Sequence, residues 1–148
     1  MKKLGLFLVG CTPFLWGRLM DWALWTLFYD SFPSFLFPLA GLALLGLWAA
    51  AACLLGEGGR GPLATLLPLN LPALAVLLLL GVQERLLHAY LPGLVGIGTQ
   101  LFFLPLLNLG STLTAWLPSV SAFPAYCAAF LLLLAASLAG WSLARRRR

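Results

Sequence analysis

The residues of this chain that could do chemistry are polar side chains set beside prolines inside long apolar runs. Asn70 lies between Pro68 and Pro72. Asn108 follows Pro105 by three residues. Each proline removes a helical hydrogen bond, so a backbone carbonyl is left free near an amide side chain, as at the broken helices of transporter sites. We expect Asn70 and Asn108 either to bind a small polar solute or ion, or to bond to each other and hold two helices together.

The depth of the two asparagines in their predicted helices favours a shared site. Asn70 is eight residues from the start of its helix at Pro62, and Asn108 is nine residues from the end of its helix at Leu117. At 1.5 Å per residue, both lie about 12–14 Å from the same membrane surface. Two further polar residues belong to the same predicted helix as Asn108. The predicted ligand-binding or permeation residues are therefore Asn70, Asn108, Gln100 and Thr112.

Glu84, Arg85 and His88 form the densest polar cluster of the sequence. On a helix, Glu84 and His88 are neighbours at positions i and i+4, where they could share a proton or a metal ion. One histidine and one carboxylate are too few ligands to hold zinc, so no metal site is predicted. The alternative interpretation is a solvated elbow between two membrane spans on the cytoplasmic side.

The composition decides which class of protein must position these residues. Of 148 residues, 62% are hydrophobic and 9% are charged, whereas soluble domains average about 45–50% apolar and about 25% charged residues. This excludes a soluble globular domain, a disordered chain and a disulfide-stapled secreted module. The three cysteines are too widely spaced for a zinc or redox motif. The sequence predicts an all-α integral membrane protein, because an isolated strand cannot satisfy its backbone in lipid.

Stretches without charge mark the predicted membrane spans. A spanning helix needs about 20 apolar residues, and four such stretches cover residues 33–55, 62–82, 91–117 and 120–144. Short connections make neighbouring helices antiparallel. We expect a single membrane domain, residues 1–148, that forms an antiparallel bundle of four transmembrane helices.

The positions of the basic residues predict the orientation. Four of the nine are the C-terminal arginines 145–148, and basic residues concentrate on the cytoplasmic side of membrane proteins. With four spans, eight basic residues lie inside and only Arg60 lies outside. We expect a bacterial cytoplasmic membrane protein with a cytoplasmic C-terminus whose arginines contact anionic lipid headgroups. The basic residues form no dispersed face, so no nucleic acid partner is expected.

The first thirty residues allow more than one interpretation. In the first, an amphipathic helix over residues 13–30 lies in the membrane interface, with Arg18 and Asp21 on its polar and aromatic face. In the second, residues 4–29 span the membrane as a fifth helix, and Arg18 pairs with Asp21 within the bilayer at positions i and i+3. In a third, a Leu-Val-Gly-Cys stretch resembles the signal box of bacterial lipoproteins and would make Cys11 a lipidated residue. The apolar run before it is shorter than a signal peptide requires.

Enzyme signatures are missing from the sequence. It has no His-Glu-x-x-His zinc motif, no Gly-x-Ser-x-Gly nucleophile turn and no phosphate-binding glycine loop. Neither catalytic residues nor a cofactor are predicted. We expect a non-catalytic multi-pass protein that serves as a small-solute transport or permeation unit, or as the membrane subunit of a larger assembly. We expect it to act as a homo-oligomer or beside a larger membrane-protein partner.

An alternative is an interfacial enzyme that acts on a lipid or isoprenoid phosphate at the cytoplasmic face. This interpretation requires acids and bases from the N-terminal helix and from the elbow to meet at one substrate. The residues concerned are Asp21, Asp30, Glu84 and His88, with Arg18 and Arg85 to hold the phosphate.

Overall fold

The computed structural model describes residues 2–27, 35–56, 61–118 and 121–146. These residues form helices and connections, and no strand occurs among them. The helices are α1 Lys2–Gly10, α2 Thr12–Thr26, α3 Leu36–Gly56, α4 Pro62–Gly81, α5 Leu94–Thr114 and α6 Phe123–Arg146. A one-turn π-helix, Val82–Leu86, continues α4.

Among the described residues, three helices are long and apolar enough to cross a membrane. They are α3, α6 and the continuous segment Pro62–Leu86, with mean hydropathies of 2.1, 2.0 and 2.2. Segments of this length rise about 30 Å, which is the thickness of the hydrocarbon core. The chain is therefore an all-helical membrane bundle, as the composition predicts. Helix α5 has 21 residues, like α3, but it carries two amide and four hydroxyl side chains.

Helix α6 runs parallel to α3, which differs from the alternation expected of four successive spans. Near the C-terminal ends of both helices, Gly56 lies against Ala144 and Trp141. Gly140 lies one turn before Ala144 in α6, and Ala49 lies two turns before Gly56 in α3. These two residues are so close that a Cβ on Gly140 would overlap the Ala49 carbonyl. We call this end of the bundle, where α3 and α6 end and α4 begins, the Arg145 end.

The opposite end is called the Glu84 end, since α4 runs into the π-helix there and Gly81 lies against Phe123 at the start of α6. Helix α5 lies across this end. Near its start, Thr99 accepts a hydrogen bond from Gln83, and eleven residues later Gly110 packs against the Ala125 carbonyl.

Both contacts of α5 belong to the Glu84 end, although they are separated by about 16 Å of helix. Helix α5 therefore crosses the bundle instead of returning along it. This is why α6 starts at the Glu84 end and runs in the same direction as α3.

The N-terminal helices pack on the bundle through glycines. A Cβ placed on Gly10, at the end of α1, would lie 2.6 Å from the Leu69 carbonyl of α4. Gly17 of α2 packs directly on the backbone of Leu101 in α5. The helix is interrupted at Cys11, so α1 and α2 contact different elements. Helix α2 corresponds to the predicted helix 13–30, of which residues 28–30 lie outside the described residues.

A single buried cluster fills the space where α3, α4, α5 and α6 meet. Its largest fully buried members are Trp48, Phe103, Leu44, Leu69, Leu80, Leu106 and Leu133. Aromatic rings connect α5 to α6 within it, because the Phe103 and Tyr126 centroids are 6.0 Å apart. Lipid tails are as apolar as these side chains, so the cluster stabilises the bundle through close packing between helices and not through removal from water.

Candidate functional site

Asn70 is held by a hydrogen-bond network in the centre of the bundle. Its side-chain oxygen accepts from the indole Nε1 of Trp48 in α3 at 3.2 Å. Its Nδ2 donates to the hydroxyl of Ser137 in α6 and to the Leu66 carbonyl, both at 2.9 Å. Ser137 in turn donates to the Leu133 carbonyl at 2.7 Å. The network therefore joins α3, α4 and α6 through the Asn70 side chain.

The protein itself satisfies the hydrogen-bonding capacity of this amide. Asn70 is only 5% exposed, and Trp48 and Ser137 are more deeply buried. In such surroundings an unpaired polar group costs about 1–3 kcal/mol, so each partner depends on the others. A shallow groove lies beside Asn70, but it is lined by apolar side chains of α4 and α6. The geometry suits a structural tie between helices.

The structure does not bring Asn70 and Asn108 together. Asn108 is exposed on α5, and its backbone carbonyl accepts from the hydroxyls of Ser111 and Thr112, at 2.9 Å each. Gln100 is half-buried on the same helix. The expectation that the two asparagines face each other is wrong. It assumes that the helix of Asn108 spans the membrane antiparallel to α4, whereas α5 crosses the bundle.

Gln83 is a polar residue that the sequence does not single out. It is fully buried at the end of α4, where its Nε2 donates to Thr99 at 3.3 Å. Its side-chain oxygen accepts from the backbone N–H of Leu91 at 3.0 Å. Gln83 thus fastens the start of α5 and the chain before it to the π-helix. Its position next to Glu84 is the only sequence signal for it.

Glu84 joins the elbow to the first residue of α6. One carboxylate oxygen accepts from the Tyr90 hydroxyl at 2.6 Å, and the other accepts from the backbone N–H of Phe123 at 3.0 Å. Negative charge is favourable at a helix N-terminus, where backbone N–H groups lack partners. The Arg85 guanidinium lies 5.6 Å from the Phe123 ring centre, which adds a cation–π contact to the same junction.

His88 is not the helical neighbour of Glu84 that the i, i+4 spacing predicts. The π-helix ends at Leu86, and His88 has a positive φ of 48°, a left-handed conformation. Both carboxylate oxygens of Glu84 are bonded to other groups. His88 and Glu84 nevertheless line one open pocket of about 290 Å³, together with Gln83, Ala89, Tyr90, Ser121 and Ala122.

Tyr90 is the titratable group whose properties this pocket changes most clearly. Burial, and then the hydrogen bond and charge of Glu84, raise the pKa of the Tyr90 phenol well above its ordinary value. The phenol therefore stays protonated and donates to Glu84 over the whole physiological range. The pocket presents a carboxylate, a phenol and an imidazole to a molecule approaching from outside the bundle.

Arg18 and Asp21 form the ion pair expected from their spacing. The guanidinium and carboxylate are 2.7 Å apart on α2, and the Arg18 side chain is 64% exposed. Neither residue lines the pocket beside Glu84 and His88. The residues that line this pocket therefore include Glu84 and His88 of the enzyme interpretation but not Asp21 or Arg18, and Asp30 lies outside the described residues.

Metal ligation and similarity to other proteins give no further assignment. Within the described residues, no group of three or more histidine, cysteine or carboxylate side chains could hold a metal ion. Comparison with protein-family models, curated proteins and solved structures returned no match.

Proposed function

We propose that this protein is a non-catalytic membrane subunit that binds a partner at the Glu84 end. The observation that carries the proposal is the open polar pocket formed by Gln83, Glu84, His88 and Tyr90. Its position on a connection between helices, and its exposed imidazole, suit recognition of a partner's polar chain segment. The junction beneath it is fixed by Glu84, which makes the pocket a preorganised surface.

The arrangement of the other polar residues favours this role over solute permeation. Asn70 is committed to Trp48, Ser137 and its own helix, so it offers no free group to a passing solute. Asn108 and Thr112 lie on the exposed side of α5. A transport unit would instead direct such groups toward a common path.

The distribution of basic residues suggests the orientation of the subunit. The Arg145 end carries the C-terminal arginines, and the connection from α3 to α4, whose sequence includes Arg60, joins the helices at the same end. Basic residues mark the cytoplasmic side. We therefore propose that the Arg145 end is cytoplasmic and that the pocket opens on the other side of the membrane. Arg85 then lies opposite the C-terminal arginines, beside Phe123, whereas the sequence predicts it on their side.

Purification from the native host in a mild detergent tests the proposal. We expect the tagged wild-type protein to retain a partner in fixed stoichiometry, measured by mass determination of the intact complex. Tyr90→Phe and His88→Ala should release that partner, whereas Trp22→Ala, a change at an exposed side chain of α2, should retain it. If all of these variants retained the same partner, the proposal that the pocket binds the partner would be overturned. Selective solute flux through liposomes containing only the purified protein would favour permeation instead.

A further inference from the structure

One side of helix α5 is only partly covered by the rest of the protein and combines apolar with polar side chains. These residues recur every three or four positions, so they share one helix face. Ile97 is 56% exposed, and Asn108 and Ser111 are exposed as well. The members of this outward α5 face are Ile97, Gln100, Leu104, Asn108 and Ser111.

The two amides of the outward α5 face have no hydrogen-bond partner in the described part of the chain. The hydroxyls of Ser111 and Thr112 both donate to the Asn108 backbone carbonyl. Within the same described part of the chain, neither the side-chain amide of Gln100 nor that of Asn108 makes a hydrogen bond. Amide side chains on an apolar helix favour association, because hydrogen bonds between helices satisfy them.

The spacing of the amides identifies the partner. Gln100 and Asn108 lie four residues before and four residues after Leu104. We propose that two copies of this chain associate through α5, with the helices antiparallel and crossing at Leu104. Gln100 of each copy then bonds to Asn108 of the other.

A two-fold axis explains why this pairing is self-consistent. In such an interface, residue i contacts residue j and residue j contacts residue i. Positions placed symmetrically about Leu104 meet that condition. Each amide carries both a donor and an acceptor, so a Gln100–Asn108 pair makes two reciprocal hydrogen bonds. The interface would contain two such pairs around a central apolar contact.

The shape of the outward α5 face fits the same axis. A hollow of about 300 Å³ is lined by Phe37, Leu104, Leu107, Asn108 and Ser111. Ile97 and Ser111 lie seven residues on either side of Leu104. The exposed Ile97 of the second copy therefore arrives opposite Ser111, at the edge of the hollow, and buries its apolar side chain there.

The crossing direction of α5 allows both copies to have the same orientation in the membrane. A two-fold axis along the membrane normal reverses directions that lie in the membrane plane, and it leaves directions along the normal unchanged. An antiparallel pair of helices that cross the bundle is therefore compatible with a single topology. Two spanning helices paired in this way would require oppositely inserted copies.

Disulfide cross-linking in native membranes tests the proposed register. Cys11, Cys53 and Cys127 are first replaced by alanine. Leu104→Cys lies at the axis and should cross-link to itself, because a disulfide needs Cα atoms about 4.4–6.8 Å apart. The control Leu131→Cys lies on α6 and is 60% exposed, more than the partly exposed Leu104, yet it should stay monomeric.

Two further single-cysteine variants examine the pairing itself. Gln100→Cys and Asn108→Cys should each cross-link poorly alone, whereas co-expression of the two should give a mixed dimer. Self-linkage of Asn108→Cys that exceeds that of Leu104→Cys would overturn the antiparallel register. Equal linkage of Leu131→Cys would show random collision and would overturn the interface.

The mass of the protein in mild detergent gives an independent readout. Wild type should be dimeric, and Gln100→Leu combined with Asn108→Leu should shift it to a monomer. The double exchange Gln100→Asn with Asn108→Gln still places one asparagine opposite one glutamine in each pair across the interface. This variant should therefore remain dimeric. A wild-type monomer in detergent and in lipid nanodiscs would overturn the proposal. Unchanged thermal unfolding of the double leucine variant at low protein concentration excludes misfolding as the cause of the shift.

Discussion

The indole nitrogen of Trp48 donates to the side-chain oxygen of Asn70 at 3.2 Å in the buried centre of the bundle. The two residues are 22 positions apart and lie on adjacent antiparallel helices. Trp48 is 1% exposed, so its N–H has no access to water. The bond therefore fixes both the depth and the rotation of α4 relative to α3.

Replacement of Asn70 should destabilise the protein. In Asn70→Leu the Trp48 N–H loses its acceptor, although Ser137 still donates to the Leu133 carbonyl. We expect the free energy of unfolding to fall by about 1–3 kcal/mol, the cost of a buried unpaired donor. Denaturant titration in mild detergent measures this change. Ser142→Ala is a matched control, because that exposed hydroxyl bonds only to its own helix, and it should change stability by less than about 0.5 kcal/mol.

Close helix contact at Gly140 gives a second prediction. A Cβ there would overlap the backbone of Ala49 in α3, so Gly140→Ala must push the two helices apart. We expect a loss of about 1–3 kcal/mol, as for other overpacked sites. Gly46 is the control, since nothing lies within 4 Å of a Cβ placed on it. Gly46→Ala should be neutral or stabilising by up to about 1 kcal/mol through helix propensity, and equal losses in both variants would contradict the assigned contact.

Helix positions follow closely from the sequence, because charge-free length is what a membrane selects. The predicted spans 33–55 and 62–82 correspond to Leu36–Gly56 and Pro62–Gly81. Helix directions do not follow, since a crossing helix and a spanning helix can share length and composition. What decides the course of α5 is the contact of Gly110 with Ala125, which spacing along the chain does not reveal.

The candidate site likewise has features that the sequence predicts and features that it does not predict. The ion pair of Arg18 with Asp21 is local, so its spacing predicts it correctly. The partners of Asn70 lie 22 and 67 positions away, and only the three-dimensional packing of three helices brings them together. Small residues four apart in sequence are equally ambiguous, because Gly140 is at a helix contact whereas Gly46 is exposed.

Alkaline pH should weaken the elbow through Tyr90. Its folded-state pKa is raised above the ordinary value of about 10, first by burial and then by Glu84. The stabilisation from the protonated phenol is therefore complete below about pH 10 and is lost as the pH rises toward the folded-state pKa. Tyr90→Phe should show a smaller fall in unfolding free energy across that range.

Titration by phenolate absorbance checks the cause of the Tyr90 shift. Glu84→Gln removes the charge but keeps a hydrogen-bond acceptor, so the pKa of Tyr90 should move down while staying above its ordinary value through burial. An ordinary pKa for Tyr90 in the wild-type protein would contradict the described hydrogen bond to Glu84.

Removal of the Glu84 carboxylate should loosen the start of α6. The carboxylate accepts from the Phe123 N–H, one of the unpaired donors at that helix terminus, and loss of a comparable helix cap costs about 0.5–2 kcal/mol. In Glu84→Ala the backbone amides of residues 123–126 should exchange with deuterium faster. Glu84→Gln retains an acceptor and should lie between wild type and alanine.

Amides near the Arg145 end provide the internal control for this exchange experiment. Residues 140–144 lie at the far end of the same helix, so their exchange should be unchanged in both variants. Faster exchange along the whole of α6 would instead mean that Glu84 stabilises the bundle globally. Unchanged exchange at residues 123–126 would mean that Arg85 and its contact with the Phe123 ring hold the junction without the carboxylate.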